Sequence, residues 1–262
     1  MLNQIVLRFI LPFTMLDFAI EVAREAGELA NSFFKTQLKV TYKADNSPVT
    51  QADRQTEQLI RKLISKKFPD HGIIGEEFKQ ANPSSSYQWV VDPIDGTREF
   101  VRHMPFWSTY VALLKNNKPV IGVIFIPQFN ELFTAEKGKG AYLNGKKIKV
   151  SKTKNIERAY IVHGSINRFE KHGKLKGFLK LCKAVENRRC LGSYSFALLL
   201  KGNVDVEVEP GGGLYDFAAP SVLITEAGGK FTDFNGKFSL TSNNGVLSNG
   251  ILHNQVLKLL NS

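Results

Sequence analysis

The apolar residues Leu16, Ala19, Ile20, Ala23, Ala26, Ala30 and Phe33 recur at spacings of three and four, which predicts one amphipathic helix over residues 16–34. An extended piece, residues 38–42, leads to Asn46-Ser47-Pro48, a turn in which the proline biases its predecessor toward extended backbone. A second helix follows, capped by Thr50, with Ala52, Leu59, Ile60, Leu63, Ile64 and Phe68 on its apolar face. Thr50 and Asp53 have the spacing of a capping box, with Asp in the usual Glu or Gln place. Ile73-Ile74 reads as a short strand ending at Gly75-Glu76-Glu77, and residues 80–86 as a loop. Residues 88–91 suit a buried strand, which Pro93 is expected to stop because it has no N–H for the ladder.

Beyond residue 105 the period changes to two. Residues 109–115, 119–126, 131–136, 141–143 and 146–150 read as an antiparallel meander, and Asn144-Gly145 is a two-residue hairpin signal. The remainder alternates differently: strands at 159–162, 189–191, 204–208, 231–234 and 246–248, and helices at 169–182, from Ser193 to a stop at Gly202, at 216–227 and from about Asn254. The pattern predicts an α+β unit over residues 15–150 and an α/β unit over residues 151–262. Residues 1–14 are apolar but broken by Arg8 and Pro12, short of the roughly 20 apolar residues a spanning helix needs, and form an extension of no assigned role.

Composition narrows the reading only slightly. A chain of 262 residues with 43% hydrophobic positions holds a substantial core. The net charge of +11 admits nucleic acid, an anionic membrane surface or small anionic substrates, but the basic residues are scattered and no Arg-rich arm accompanies them. Two cysteines, Cys182 and Cys190, without a C-x-x-C motif, fit a reduced cytoplasmic interior.

The chemistry concentrates in Trp89-Val90-Val91-Asp92-Pro93-Ile94-Asp95-Gly96-Thr97, where an apolar strand runs into two carboxylates and a Gly-Thr step. Two Asp side chains three residues apart across a tight turn can converge on one point, and paired hard oxygen donors favour Mg²⁺. Gly96 lets the backbone approach a ligand, and a short helix opened by Gly96 and Thr97 would aim its N–H groups at an anion. The alternative is an Asp-rich turn capping a helix.

Asp92-Pro93-Ile94-Asp95-Gly96-Thr97 resembles the signature of the inositol monophosphatase superfamily of Mg²⁺-dependent phosphomonoesterases. Three further stretches match in order: residues 43–53, Gly75-Glu76-Glu77, and Tyr215-Asp216-Phe217-Ala218-Ala219 with Glu226-Ala227-Gly228-Gly229. The resemblance implies a layered α/β/α/β/α sandwich, a homodimer, and two or three Mg²⁺ ions with sensitivity to lithium. It assigns one ion to Glu76, Asp92 and the Ile94 carbonyl, a second to Asp92, Asp95 and Asp216, and the orientation of an attacking water to Glu76, Thr97 and Asp53. Asp53 thus carries two readings, cap and water-orienting residue. Asp95, Gly96, Thr97, Glu209, Glu99 and Tyr215 are the expected phosphate and substrate contacts; Tyr215 stands where the family usually has Trp.

Arg98-Glu99-Phe100-Val101-Arg102 and Pro105-Phe106-Trp107-Ser108-Thr109 look more like the histidinol-phosphatase branch than the inositol branch. That likeness implies L-histidinol phosphate as substrate, with inositol monophosphate or a broader range of sugar and nucleotide phosphates as the alternative. Glu99 is open between a substrate contact and a surface salt bridge. Against a nucleic-acid-binding module stand the four ordered matches, and against a relative that has lost catalysis stands the presence of Glu76, Asp92, Asp95 and Asp216. No nucleic-acid or membrane partner is expected.

Overall fold

The computed structural model describes residues 13–43 and 48–262. The extension at residues 1–14 lies outside them except for its last two residues, and so does the turn before Pro48. Helix α1 (Met15–Phe33) starts at Thr14, whose hydroxyl accepts from the Asp17 N–H while the Asp17 carboxylate accepts from the Thr14 N–H. Its stripe of Phe18, Ala19, Val22, Ala23 and Ala26 is buried. Strands β1 (Val40–Tyr42) and β2 (Pro48–Thr50) pair antiparallel, and α2 (Gln51–Lys67) begins at Thr50 with the anticipated capping box to Asp53.

The first large sheet has its strands in chain order: β3 (Gly72–Gly75), β4 (Tyr87–Asp95), β5 (Ser108–Lys115), β6 (Lys118–Ile126), β7 (Glu131–Glu136), β8 (Gly140–Leu143) and β9 (Lys146–Ile148). β3 runs parallel to β4 and the rest form the expected meander. Asn144 and Gly145 both have positive φ, 48° and 78°, as a primed two-residue turn requires. One expectation fails here: Pro93 does not stop its strand. β4 continues to Asp95, and its register to β5 shifts between Asp92 and Asp95. A bulge suspends the ladder locally, so the missing Pro93 N–H costs nothing there, while its carbonyl accepts from Thr109 Oγ1 at 2.8 Å. The short helix α3 (Thr97–Phe100) follows.

The second sheet is mixed, in the order β11 (Asn187–Arg189), β10 (Tyr160–His163), β12 (Val206–Glu209), β14 (Gly245–Ser248), β13 (Lys230–Thr232). β10 is parallel to β11 and β12, and β14 is antiparallel to both its neighbours. The helix expected over residues 169–182 is two, α4 (Ile166–Lys171) and α5 (Leu175–Ala184). Gly173, at φ 63°, ends the first by donating to Glu170 O while the next N–H, of Lys174, reaches Phe169 O. Ser193 does not cap its helix either: residues 192–194 form a 3₁₀ turn, α6 (Ser195–Leu200) starts after it, and Ser193 Oγ donates to Phe106 O at 2.6 Å.

Helix α7 (Leu214–Glu226) buries every residue from Phe217 to Ile224. A helix without a polar face belongs in a middle layer. It packs with α6 in one apolar cluster shared with both sheets. Close approach depends on Gly122 of β6, where an added Cβ would lie 2.5 Å from the Ala219 carbonyl oxygen. α1 and α2 cover the outer face of the first sheet, and α4, α5 and α8 (His253–Leu260) share a cluster with the second. The layers run α/β/α/β/α, as the resemblance implied.

Candidate active site

The bulge that ends β4 and the first turn of α7 bring Asp92, Asp95 and Asp216 together, with one carboxylate oxygen of each within 4.8 Å of the others. The Ile94 N–H donates to Asp92 Oδ1 at 3.0 Å, and the Gly213 N–H donates to Asp216. Asp95 Oδ2 is buried without a hydrogen-bond partner among the described residues. Burial raises the pKa of all three; for Asp92 the charges of Glu76 and Asp95 add to it, and for Asp95 that of Asp216. Asp216 is pushed to about 6, with the Gly213 N–H and Arg168 holding it lower than burial alone would. Crowded, under-bonded carboxylates of this kind are stable only with protons or a cation between them.

Asp53 uses its two oxygens differently. Oδ2 accepts from the Thr50 N–H at 2.7 Å and closes the helix cap, while Oδ1 lies 3.2 Å from Thr97 Oγ1. The cap and the contact to the signature threonine therefore coexist on one side chain. Thr97 Oγ1 is also 3.2 Å from the Ile94 carbonyl, which connects three of the expected residues.

Glu76 stands at the mouth of the same cavity but outside the aspartate trio, its carboxylate 2.7 Å from Lys43 Nζ. Lys43 also meets Glu77 at 2.7 Å. Burial works to lower the Lys43 pKa, and the two glutamates outweigh it and raise it. Burial nevertheless dominates at Glu77, which rises to about 7. One residue absent from the sequence reading holds this loop. Buried Glu57 accepts from the Glu77 N–H at 2.7 Å and pairs with Arg61 at 2.7 Å. Its signal was its place on α2 one turn after Asp53, on the same helix face.

Beyond the trio lies a cavity of about 250 Å³. Gly96, Thr97, Glu99 and Glu209 line it, together with Arg168, Ser193 and Glu207. Glu99 faces this space, its Oε1 packed so close to Gly192 that a Cβ there would lie 2.5 Å away. Glu209 Oε1 lies 3.9 Å from the Arg168 guanidinium, and burial outweighs that charge to push its carboxyl to about 7. Tyr215 is not on this cavity; it lines an adjoining one with Glu76 and Asp216. Glu207 was not foreseen. The stretch Val206-Glu207-Val208-Glu209 alternates strictly, so Val206 and Val208 join the core while both glutamates point the other way, and that alternation was the legible signal.

The inositol monophosphatase family model matches residues 13–262. A histidinol-phosphatase of Mycobacterium tuberculosis is 33% identical over 251 residues, 93% of this chain and 96% of that protein. A fructose-1,6-bisphosphatase/inositol-1-monophosphatase of Thermotoga maritima is 35% identical over 252 residues, 94% of this chain and 95% of the relative. Among solved structures, the extragenic suppressor protein SuhB of Bartonella henselae superposes with a TM-score of 0.87 at 30% identity, over 93% of this chain and 97% of that one.

Proposed function

This chain belongs to the inositol monophosphatase family and is a phosphatase, and from that premise we propose that it hydrolyses L-histidinol phosphate to L-histidinol and inorganic phosphate, a step of histidine biosynthesis. The observation that carries the substrate is the pair of carboxylates, Glu99 and Glu209, on the cavity next to the aspartate trio. Histidinol phosphate presents a protonated amine and an imidazole at its non-reacting end, groups that carboxylates complement, whereas a polyol calls for mixed donors and acceptors.

The family is metal-dependent, and the residues fit Mg²⁺: the donors are hard oxygens, three carboxylates converge, and Asp95 Oδ2 is buried with no hydrogen-bond partner among the described residues. Asp92, Asp95 and Asp216 would hold it with Glu76 and the Ile94 carbonyl, as two or three lithium-sensitive ions. Bound there, Mg²⁺ would neutralise the phosphate charge and make a metal-held water more acidic. The chain's own residues orient and exclude. Thr97 Oγ1 directs its hydrogen toward Asp53 and the Ile94 carbonyl, which leaves its lone pairs to accept from a water, and Glu76 accepts the proton that water gives up. Gly96, with φ 90°, turns the chain so that α3 starts over the trio. Tyr215, in the adjoining cavity, forms the wall beside Glu76 and Asp216. We further assign the enzyme to the cytoplasm as a homodimer, to be checked by sedimentation and fractionation.

Phosphate release from the two esters tests the substrate. The expected outcome is a higher kcat/KM for L-histidinol phosphate than for inositol monophosphate, with Glu209→Gln lowering the former about tenfold more than the latter. A clear preference for inositol monophosphate in the wild type, or an equal penalty on both esters, would leave only the general phosphatase.

A further inference from the structure

Glu207 is the most deeply buried acid on the cavity wall, 3% exposed. Ser195 Oγ donates to its Oε1 at 2.5 Å, and its Oε2 is buried with no hydrogen-bond partner among the described residues. No basic side chain approaches it among the described ion pairs, and the acids nearest in charge are Glu209 and Asp95. A half-satisfied carboxyl in such a place is costly to keep, whether ionised or not. Its partner must therefore come from outside the chain or its cost must be met elsewhere in the fold.

The strand explains its direction. Val206 and Val208 are committed to the apolar cluster under the second sheet, so Glu207 and Glu209 share the opposite face, toward the cavity. Phe196 lines the same space and supplies an apolar surface beside the carboxyl. An acid next to an aromatic face suits a planar or delocalised organic cation better than a small metal ion, because Glu99, Glu207 and Glu209 do not form a convergent ligand group such as the trio forms.

We infer that Glu207 is a specificity-determining residue, its free oxygen receiving the cationic nitrogen at the non-reacting end of the substrate. The inference rests on the proposed cationic ester and names the group that selects it. Burial raises the Glu207 pKa well above the ordinary carboxylate range, and a cation beside it would bring it back down, so binding and ionisation support each other.

The test compares wild type, Glu207→Gln and Ser195→Ala, each with Mg²⁺. It measures kcat and KM for L-histidinol phosphate and inositol monophosphate, and the calorimetric affinity for L-histidinol, which carries the cation without the phosphate. The isosteric Glu207→Gln keeps an acceptor for Ser195 but has no charge. It should raise the KM of L-histidinol phosphate, whose non-reacting end is cationic, about tenfold more than that of inositol monophosphate, whose polyol end is uncharged, and weaken L-histidinol to a similar degree. Ser195→Ala, which removes the hydroxyl bonded to Glu207 Oε1 but keeps the Glu207 charge, should change the ratio between esters much less than Glu207→Gln does. Equal losses on both esters, no change in L-histidinol affinity, or the same ratio change in Ser195→Ala would overturn the inference. The substrate reading is judged separately, on wild-type preference alone.

Discussion

The two ends of the cavity both gather buried acids, yet they gather them in different ways. At the near end, three aspartates approach within 4.8 Å. At the far end, Glu99 comes from α3 and Glu207 and Glu209 from one face of β12, and the three do not converge in that manner. Repulsion that close is relieved by a small ion of high charge, whereas dispersed acids match a larger cation whose charge is spread over a ring or carried by an amine. One cavity thus separates two recognition tasks by spacing alone. Basic side chains reach both ends: Lys43 meets Glu76, Arg168 lies beside Glu209, and Arg98 lines the cavity next to Glu99.

The contrast breaks most visibly at the near end. Asp92→Asn and Asp216→Asn should each lower phosphate release on the order of a thousandfold, since a neutral amide replaces a charged donor where charge develops. Thermal melting should stay cooperative. Ordinary turnover in either variant at millimolar Mg²⁺ would show that the trio is not where the chemistry occurs.

A smaller effect is expected one layer out. Thr97→Ala and Asp53→Asn should reduce kcat about 10- to 100-fold with little change in KM, because both act on the orientation of water. Asp53→Asn should also cost on the order of 1 kcal/mol of stability through the cap. A pure rise in KM would move both residues to substrate binding.

The difference between the ends also explains what could be read in advance. The convergence at the near end was legible because Asp92 to Thr97 is contiguous, so spacing alone brings two carboxylates together, and Thr50 with Asp53 announces a cap locally. The meander was legible for the same reason, its strands alternating with a period of two and its last turn marked by Asn144-Gly145. Glu207 and Glu57 were missed because each has a sufficient local explanation, a strand's outward face and a helix's charged residue. Only the tertiary fold turns those faces inward. The β4 bulge was missed because a proline reads as a strand stop unless the partner strand is known to shift register. The break at Gly173 was missed because the apolar period on both sides is continuous, and only the positive φ of that residue separates the helices.

The smallest expected effect, a stability shift, compares the two ends directly. The metal-free Asp216 carboxyl is raised to about 6 and that of Glu209 to about 7, above the ordinary range near 4. A carboxyl with a raised folded-state pKa binds its proton more tightly folded than unfolded. Its contribution is therefore fully present below about pH 4 and is lost as pH rises through the folded value. The metal-free protein should lose on the order of a few kcal/mol between pH 4 and pH 7, seen as a melting temperature several degrees lower at the higher pH. Mg²⁺ should restore the near-end share, raising the melting temperature more at pH 8 than at pH 5, and L-histidinol should restore the far-end share. Glu209→Gln should shrink the L-histidinol-sensitive portion, leaving the share due to Glu207, and keep the Mg²⁺ response, while Asp216→Asn should remove the Mg²⁺ response and keep that to L-histidinol. Equal Mg²⁺ shifts at both pH values would mean that the near-end acids are already ionised and relieved without metal, and the distinction between the two ends would fail.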